Sequence, residues 1–529
     1  MKESSSMLNL KIDRRTFLGS GIAGLTVLGT GYAAQSQTAP VVETTSGKIR
    51  GQVINKVNAF KGVPYGAASR FMAAVRPAPW TGVRDTVEWG HEAPQGPHTE
   101  IPEVAATIPK STTIVSEDCQ VLNVWTNSLS GKRPVMVWLH GGGFTSGNGG
   151  YTMYDGANLA RKRDVVAVTL NHRLNAFGYL YLAGVGGEKY TGSSNLGMLD
   201  IVLALQWVRD NISKFGGDPN NVTIYGQSGG GGKVSTLLAM PAAKGLFHRA
   251  IIQSGAALKG LSVEAANTST RNFMTRVGAK TVDEMAAMPM DKLIQAAIAS
   301  NAVPVSFTPV LDGKTLLEGP FDPTAPALSA EVPVLIGTVE YEVGFFPNTK
   351  FDPLNDAELQ ASVKQALRLK SDSDVDRVIA TYKKGRPGLS NLDYNLILAS
   401  DNFRGGVVTE AERKSAQKAQ VYMYYFTWQS PVRQGKLKSF HTLEIPFHQE
   451  NVNEASSMTG EGNDRYALQD KMSLAWTNFA RTGNPSHKGL PTWPAFEMNK
   501  RATMILSNDC RVVNDPNGDE RRLVASLRT

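Results

Sequence analysis

The segment Asn221-Val222-Thr223-Ile224-Tyr225 runs directly into Gly226-Gln227-Ser228-Gly229-Gly230. An apolar strand that ends on a glycine-flanked serine and continues as a helix leaves that serine on a sharp, strained turn. The glycines make room for the turn, and the serine hydroxyl stands above the edge of a sheet. This part of the chain is thereby committed to a strand backed by a helix. The five-residue pattern is only moderately specific, because a Gly-rich strand-to-helix turn can carry an incidental serine.

The flanking sequence supplies the rest of such a sheet. Residues 121–125 and 134–139 read as strands, the second nearly all apolar and therefore central, and residues 164–170 read as a third buried strand. Residues 196–215 carry apolar side chains at helical spacing. Residues 44–65 alternate short apolar and polar groups around Gly47, Gly51 and Gly62, as strands joined by turns do. Residues 263–300 and 355–405 are polar and helical in pattern, and strand character returns at 332–337 and 421–428. Strands alternating with helices predict an α/β fold with a large, mostly parallel central sheet covered by helices, plus helical insertions. No internal repeat or linker divides residues 34–529, which are expected to form one domain.

A serine attacking an ester places negative charge on the carbonyl oxygen, and that charge needs preorganised N–H donors. Leu139-His140-Gly141-Gly142-Gly143-Phe144 follows the central strand as an HGGG-type loop. The amides of Gly142 and Gly143, with that of Gly229, are the expected oxyanion donors. A general base must activate the serine. Of eight histidines, only His441, His448 and His487 lie late enough for the chain order serine, acid, histidine that this arrangement follows. His441 is the expected base and His448 the alternative. The acid is expected in Gly337-Thr338-Val339-Glu340-Tyr341-Glu342, where spacing alone leaves Glu340 and Glu342 open. Gln227, Lys233 and Phe144 are candidates for the substrate pocket.

Composition excludes several other classes. The 529 residues carry a formal net charge of +8, with 55 Lys+Arg and 47 Asp+Glu dispersed along the chain, so no basic arm points to nucleic acid. Two cysteines, Cys119 and Cys510, cannot make a disulfide scaffold. Neither H-E-x-x-H nor C-x-x-C occurs, and no metal or other cofactor is expected. Asp13-Arg14-Arg15-Thr16-Phe17-Leu18-Gly19 precedes a short, Gly-rich apolar stretch. The order of charge, apolar run and small residues predicts a twin-arginine export signal over residues 1–33, and hence a periplasmic or secreted protein. No later apolar run is long enough to span a bilayer. A small-molecule ester is the expected partner; the oligomeric state is not legible.

With these residues assembled, the chain resembles the type-B carboxylesterases of the α/β-hydrolase superfamily, from about residue 41 to 496. The resemblance rests on Phe60-Lys61-Gly62-Val63-Pro64-Tyr65, Ser116-Glu117-Asp118-Cys119, the 140–144 loop, Asn171-His172-Arg173, Phe215-Gly216-Gly217-Asp218-Pro219, Gln253-Ser254-Gly255 and Thr482-Gly483-Asn484-Pro485. It implies an α/β-hydrolase fold and serine ester hydrolysis, selects Glu342 as the acid and places His441 on the family histidine. It also implies two buried ion pairs of structural role, Arg70 with Glu117 and Arg173 with Asp200.

Four departures from the family pattern stand out. Gln227 replaces the usual Glu, and Gly229 to Lys233 read Gly-Gly-Gly-Gly-Lys where Ala is usual after the serine. Gly96 stands where the partner cysteine of Cys119 is expected, and Val343 where glycine follows the acid. The first two make the surroundings of Ser228 more positive, which predicts tolerance of carboxylate-bearing esters, for example tricarballylate esters of fumonisin type. An apolar-ester, lipase-like specificity and a non-catalytic binding role on the same fold are the alternatives. A nucleotide-binding reading of residues 229–233 fails, since Gln227 lies where a P-loop has glycine and Val234 follows the lysine.

Overall fold

Among the described residues, eleven strands build the central sheet. From one edge they run Arg511–Asn514, Ala502–Leu506, Val421–Phe426, Val334–Val339, Arg249–Gln253, Gly217–Gln227, Arg133–Leu139, Val166–Leu170, Val121–Thr126, Val57–Pro64 and Gln52–Ile54. The seven from Ala502–Leu506 to Val166–Leu170 are parallel, and the outer pairings on both sides are antiparallel. This is the α/β-hydrolase fold. The structure, a computed structural model, describes residues 39–300 and 303–527. The expected signal at 1–33 lies outside the described residues.

The central strands are apolar throughout because helices cover both faces. All of Val421–Phe426 and Val334–Val339 is buried, and so is Arg133–Leu139 beyond its first residue. One core includes Val137, Ile224, Val234 and Ile252; the other, across the sheet, includes Trp138, Tyr225, Tyr424 and Trp476. Alternate residues of the same strands thus feed opposite cores, as a period of two requires. Strands Arg249–Gln253 and Ala502–Leu506 escaped the sequence reading. Each is a five-residue run, too short for periodicity to separate from a buried helical segment.

The helical insertions comprise Val263–Val277, Val282–Ala286 and Met290–Ile298, then Asp356–Leu367, Asp372–Gly385 and Asn391–Ser415. Capping boxes at Asn355 with Glu358, and at Ser390 with Asp393, start two of them. The helical pattern expected to stop near Gly405 continues to Ser415. Val407, Val408 and Ala411 beyond the glycine pair are buried in the main core, so packing outweighs glycine's low propensity, about 1 kcal/mol each. The helix expected over 196–215 is α-helical only to Asn211; a tighter turn, Ile212–Phe215, follows and ends at Gly216 with φ 74°.

Both implied ion pairs form. Arg173 meets Asp200 through Nε at 2.8 Å and Nη2 at 2.6 Å, with both side chains buried. Arg70 Nε lies 2.9 Å from Glu117 Oε2, but this pair is partly exposed and not buried as expected. Cys119 and Cys510 are free thiols.

Candidate active site

The strand order reverses between Arg133–Leu139 and Gly217–Gln227: from the first the chain steps to Val166–Leu170 on one side, and from the second to Arg249–Gln253 on the other. The carboxyl ends of strands at such a switch point form a natural crevice. His140 and Ser228 emerge there, Leu139 being paired with Gly226.

Ser228 has φ 58° and ψ −125°, a strained conformation for a residue with a side chain, directly before the helix Gly229–Ala239. Close packing demands its glycine neighbours. A Cβ on Gly230 would lie 2.0 Å from Leu139 O, and one on Gly226 would lie 2.6 Å from the same oxygen. In the facing loop Gly142 and Gly143 have φ 87° and 63°, values that favour glycine. Gly142 O accepts from Thr145 N at 3.2 Å and Ser146 N at 3.0 Å, and Gly147 N donates to Gln95 Oε1 at 2.7 Å. The Gly142 and Gly143 N–H groups donate to no other group among the described residues. Gly229, as the first residue of its helix, has no intrahelical acceptor for its N–H.

His441 follows the strand Val421–Phe426 across a loop and is buried. Its Nδ1 is hydrogen-bonded to Glu342 Oε2, and Glu342 Oε1 accepts from Val339 N at 3.2 Å. Phe345, Phe346 and Phe403 pack around the ring, with centroids 5.4–6.2 Å away. Gln227 Nε2 lies 3.2 Å from His441 Nδ1 and 3.1 Å from Nε2, so the amide that replaces the usual carboxylate lies against the imidazole. No hydrogen bond joins Ser228 to His441 among the described residues.

The alternatives are placed elsewhere. Glu340 N donates to Phe426 O, extending the strand pairing, and its carboxyl is pushed up to about 7 by burial. His448 is stacked on Trp476 and bonded to Gln253 Nε2 at 3.0 Å, with burial driving it down to about 3. Glu444 is fully buried and pushed up to about 8, first by burial and then by the charge of Glu342. It is therefore largely protonated at neutral pH.

A cavity of about 330 Å³ opens over Ser228 and His441, lined also by Gly141 to Gly143, Gln227, Tyr151, Met153, Phe345 and Phe346. Sequence reasoning missed its far wall. Glu100 lines it, accepting from Tyr151 OH at 2.8 Å. His98 lies 3.1 Å from Glu92 Oε2 and 3.4 Å from Glu100 Oε1, and these hydrogen bonds, Glu100's first, push it up to about 10. Phe345 and Phe346 adjoin Glu342 in sequence and were findable; Glu100 and Tyr151 carry no local signal.

Two pocket assignments are corrected. Lys233 neither lines the cavity nor faces solvent: it is fully buried, and its Nζ donates to His140 O and Gly143 O, both at 2.9 Å. Phe144 is likewise absent from the cavity wall; its ring packs edge-on against Tyr179 and lies 5.6 Å from Lys233 Nζ. The glycine run lets the helix approach the loop so closely that Lys233 is enclosed between them and the half-buried Phe144 is turned toward Tyr179.

A serine on a strained turn, free glycine amides before it and a histidine held by a buried carboxylate are the equipment of the serine hydrolases built on this fold. The family description "Carboxylesterase family" matches residues 38–522. The chain belongs to that family and is a carboxylic-ester hydrolase. It is 37% identical over 501 residues to the para-nitrobenzyl esterase of Bacillus subtilis (strain 168), covering 92% of this chain and 98% of that protein. It is 31% identical to the phenmedipham hydrolase of Pseudarthrobacter oxydans, over 89% of this chain and 96% of that one. Among solved structures, an esterase from Clostridium hathewayi that can hydrolyse aliphatic aromatic polyesters superposes with a TM-score of 0.81 at 33% identity, covering 93% and 98% of the two chains.

Proposed function

We propose that Ser228 is the nucleophile of a two-step acyl transfer, with His441 as its general base and Glu342 as the group that orients the histidine. Ser228 Oγ bonds to the ester carbonyl carbon as its proton passes to His441 Nε2, and the carbonyl electron pair moves onto oxygen. That oxyanion is received by the amides of Gly142, Gly143 and Gly229. Collapse expels the alcohol, protonated by His441, and water then hydrolyses the acyl-enzyme by the same route. The observation that carries this reading is the pair of unengaged glycine amides facing a strained serine at a helix N-terminus. The missing Ser228–His441 bond is compatible with it, since such bonds often tighten only when substrate binds. Loss of nearly all ester turnover in Ser228→Ala, with folding retained, is the expected test result; undiminished turnover would refute the assignment.

For the substrate we infer neutral carboxylic esters. Among the described residues the cavity wall carries the Glu100 carboxylate and no lysine or arginine, an arrangement that works against carboxylate-bearing esters of the fumonisin type. A series of matched p-nitrophenyl esters with neutral, anionic and cationic acyl groups tests this. Faster turnover of the anionic ester would reverse the inference. Export is read from the paired arginines and the apolar, small-residue stretch that follows them within residues 1–33: Arg14-Arg15→Lys-Lys is expected to hold the protein in the cytoplasm, measured by cell fractionation.

A further inference from the structure

We propose that Lys233 is a positioning residue for this reaction: its buried ammonium ties the 140–143 loop to the helix that follows Ser228 and supplies positive potential that the developing oxyanion completes. The proposal rests on the serine-hydrolase reading above.

Three observations converge on it. First, the two carbonyls that Lys233 Nζ binds, His140 O and Gly143 O at 2.9 Å each, bracket the peptide units whose amides face the cavity. Fixing both carbonyls fixes the direction of the donors between them. Second, the loop is drawn in too tightly for the alanine usual after the serine. A Cβ on Gly229 would lie 2.1 Å from Gly143 O and 2.4 Å from Gly143 N. The run Gly-Gly-Gly-Gly-Lys is thus one device, in which the glycines allow the approach and the lysine secures it.

Third, the charge is placed where it is costly. Lys233 is fully buried, no carboxylate pairs with it among the described residues, and burial pushes its ammonium down to about 7, so that an anion forming beside it is what holds the proton on. It also sits near the N-terminal end of its helix, where the dipole disfavours a cation. The titratable groups packed around it offer no compensation. His140 and His172, stacked 5.0 Å apart, are both held well below their usual range, first by burial and then by Lys233 itself. Glu410, packed against the far side of the same helix, is pushed up to about 8 by burial and so is largely neutral. Arg133, Asp218 and Arg249 belong to the opposite ends of the neighbouring strands. A buried unpaired cation weakens a fold. An anion formed at the N-terminus of that same helix offsets it, and ester hydrolysis forms one there only in the transition state.

The test compares wild type with Lys233→Met, which removes the charge and the bonds, and Lys233→Gln, which keeps a neutral donor. With p-nitrophenyl butyrate, kcat is expected to fall about 10- to 100-fold in both, less than the ~10²–10³ of a direct oxyanion donor, while KM changes less than about 3-fold. Affinity for an aryl trifluoromethyl ketone, which adds Ser228 to give an oxyanion, should fall in parallel. Affinity for the matching methyl ketone, which does not add, should be unchanged. Unchanged kcat would overturn the proposal, and so would an equal loss of methyl-ketone binding, which marks a merely collapsed site. Should Lys233→Met fail to fold for want of a donor to the two carbonyls, Lys233→Gln, which keeps one, carries the same kinetic and ketone comparison. Turnover persisting in Ser228→Ala refutes the serine reading itself and is a separate result.

Discussion

Glu342 reaches His441 from a carboxylate with no exposed surface, one oxygen on the imidazole Nδ1 and the other accepting the Val339 N–H at 3.2 Å. Both oxygens are engaged, so the carboxylate cannot turn away from the ring. Glu342→Gln leaves the volume unchanged but puts an N–H or a neutral oxygen against Nδ1, removing the charge that stabilises the imidazolium. A fall in kcat of about 10²- to 10⁴-fold is expected, with KM within a few-fold of wild type, from steady-state kinetics on a neutral ester.

Gly229→Ala tests the spacing between loop and helix. The new methyl would fall 2.1 Å from Gly143 O, so the loop must move and its amides with it. A loss in kcat of about 10²-fold is expected, the scale of one misplaced oxyanion donor. Wild-type activity in this variant would show that the loop yields without consequence.

Gln227→Glu restores a carboxylate against the His441 ring, where the amide now lies 3.1 Å from Nε2. A negative charge there favours the protonated imidazole, which cannot act as a base. Turnover near pH 7 is expected to drop and to recover as pH rises, measured as a kcat/KM profile.

Glu410 is fully buried, and burial pushes its carboxyl up to about 8. A folded value above the unfolded one favours the protonated form, so the group's contribution is complete below about pH 4.5 and is lost as pH rises toward 8. Glu410→Gln is therefore expected to leave stability near pH 5 little changed and to raise it at pH 8–9, on the order of 4 kcal/mol. Urea unfolding at the two pH values checks this; an equal effect at both would contradict it.

Asp200→Asn leaves the buried Arg173 guanidinium without its counter-charge, at an expected cost of about 3–5 kcal/mol in stability. The pair lies on the helix Leu196–Asn211 and the loop after Val166–Leu170, away from the cavity wall. KM and kcat of the surviving folded enzyme are expected to stay within a few-fold of wild type.

The sheet was largely legible because its central strands are unbroken apolar runs. The serine turn and the glycine loop were legible because each is a local backbone requirement met by consecutive residues. The choice of Glu342 over Glu340 was less so. Two residues apart in a strand, they would share a face. Tyr341, with φ −114° and ψ 56°, breaks that alternation as the strand gives way to the turn Glu342–Phe345. The two carboxyls then part, Glu342 toward His441 and Glu340 among Arg386, Asp401 and Arg404.

By itself, then, the sequence determined the alternation of most strands and helices, the strained Ser228 and the glycine amides opposite it. All of these follow from torsion, hydrophobic periodicity and the absence of Cβ atoms over a few residues. Only the tertiary structure decided where Lys233 points, that Gln227 lies against a histidine 214 residues away, and that Glu100 walls the cavity. Those contacts depend on how segments distant in the chain close against one another. A lysine four residues after Gly229 reads as a charge of the substrate pocket until the loop from the neighbouring strand is laid across it.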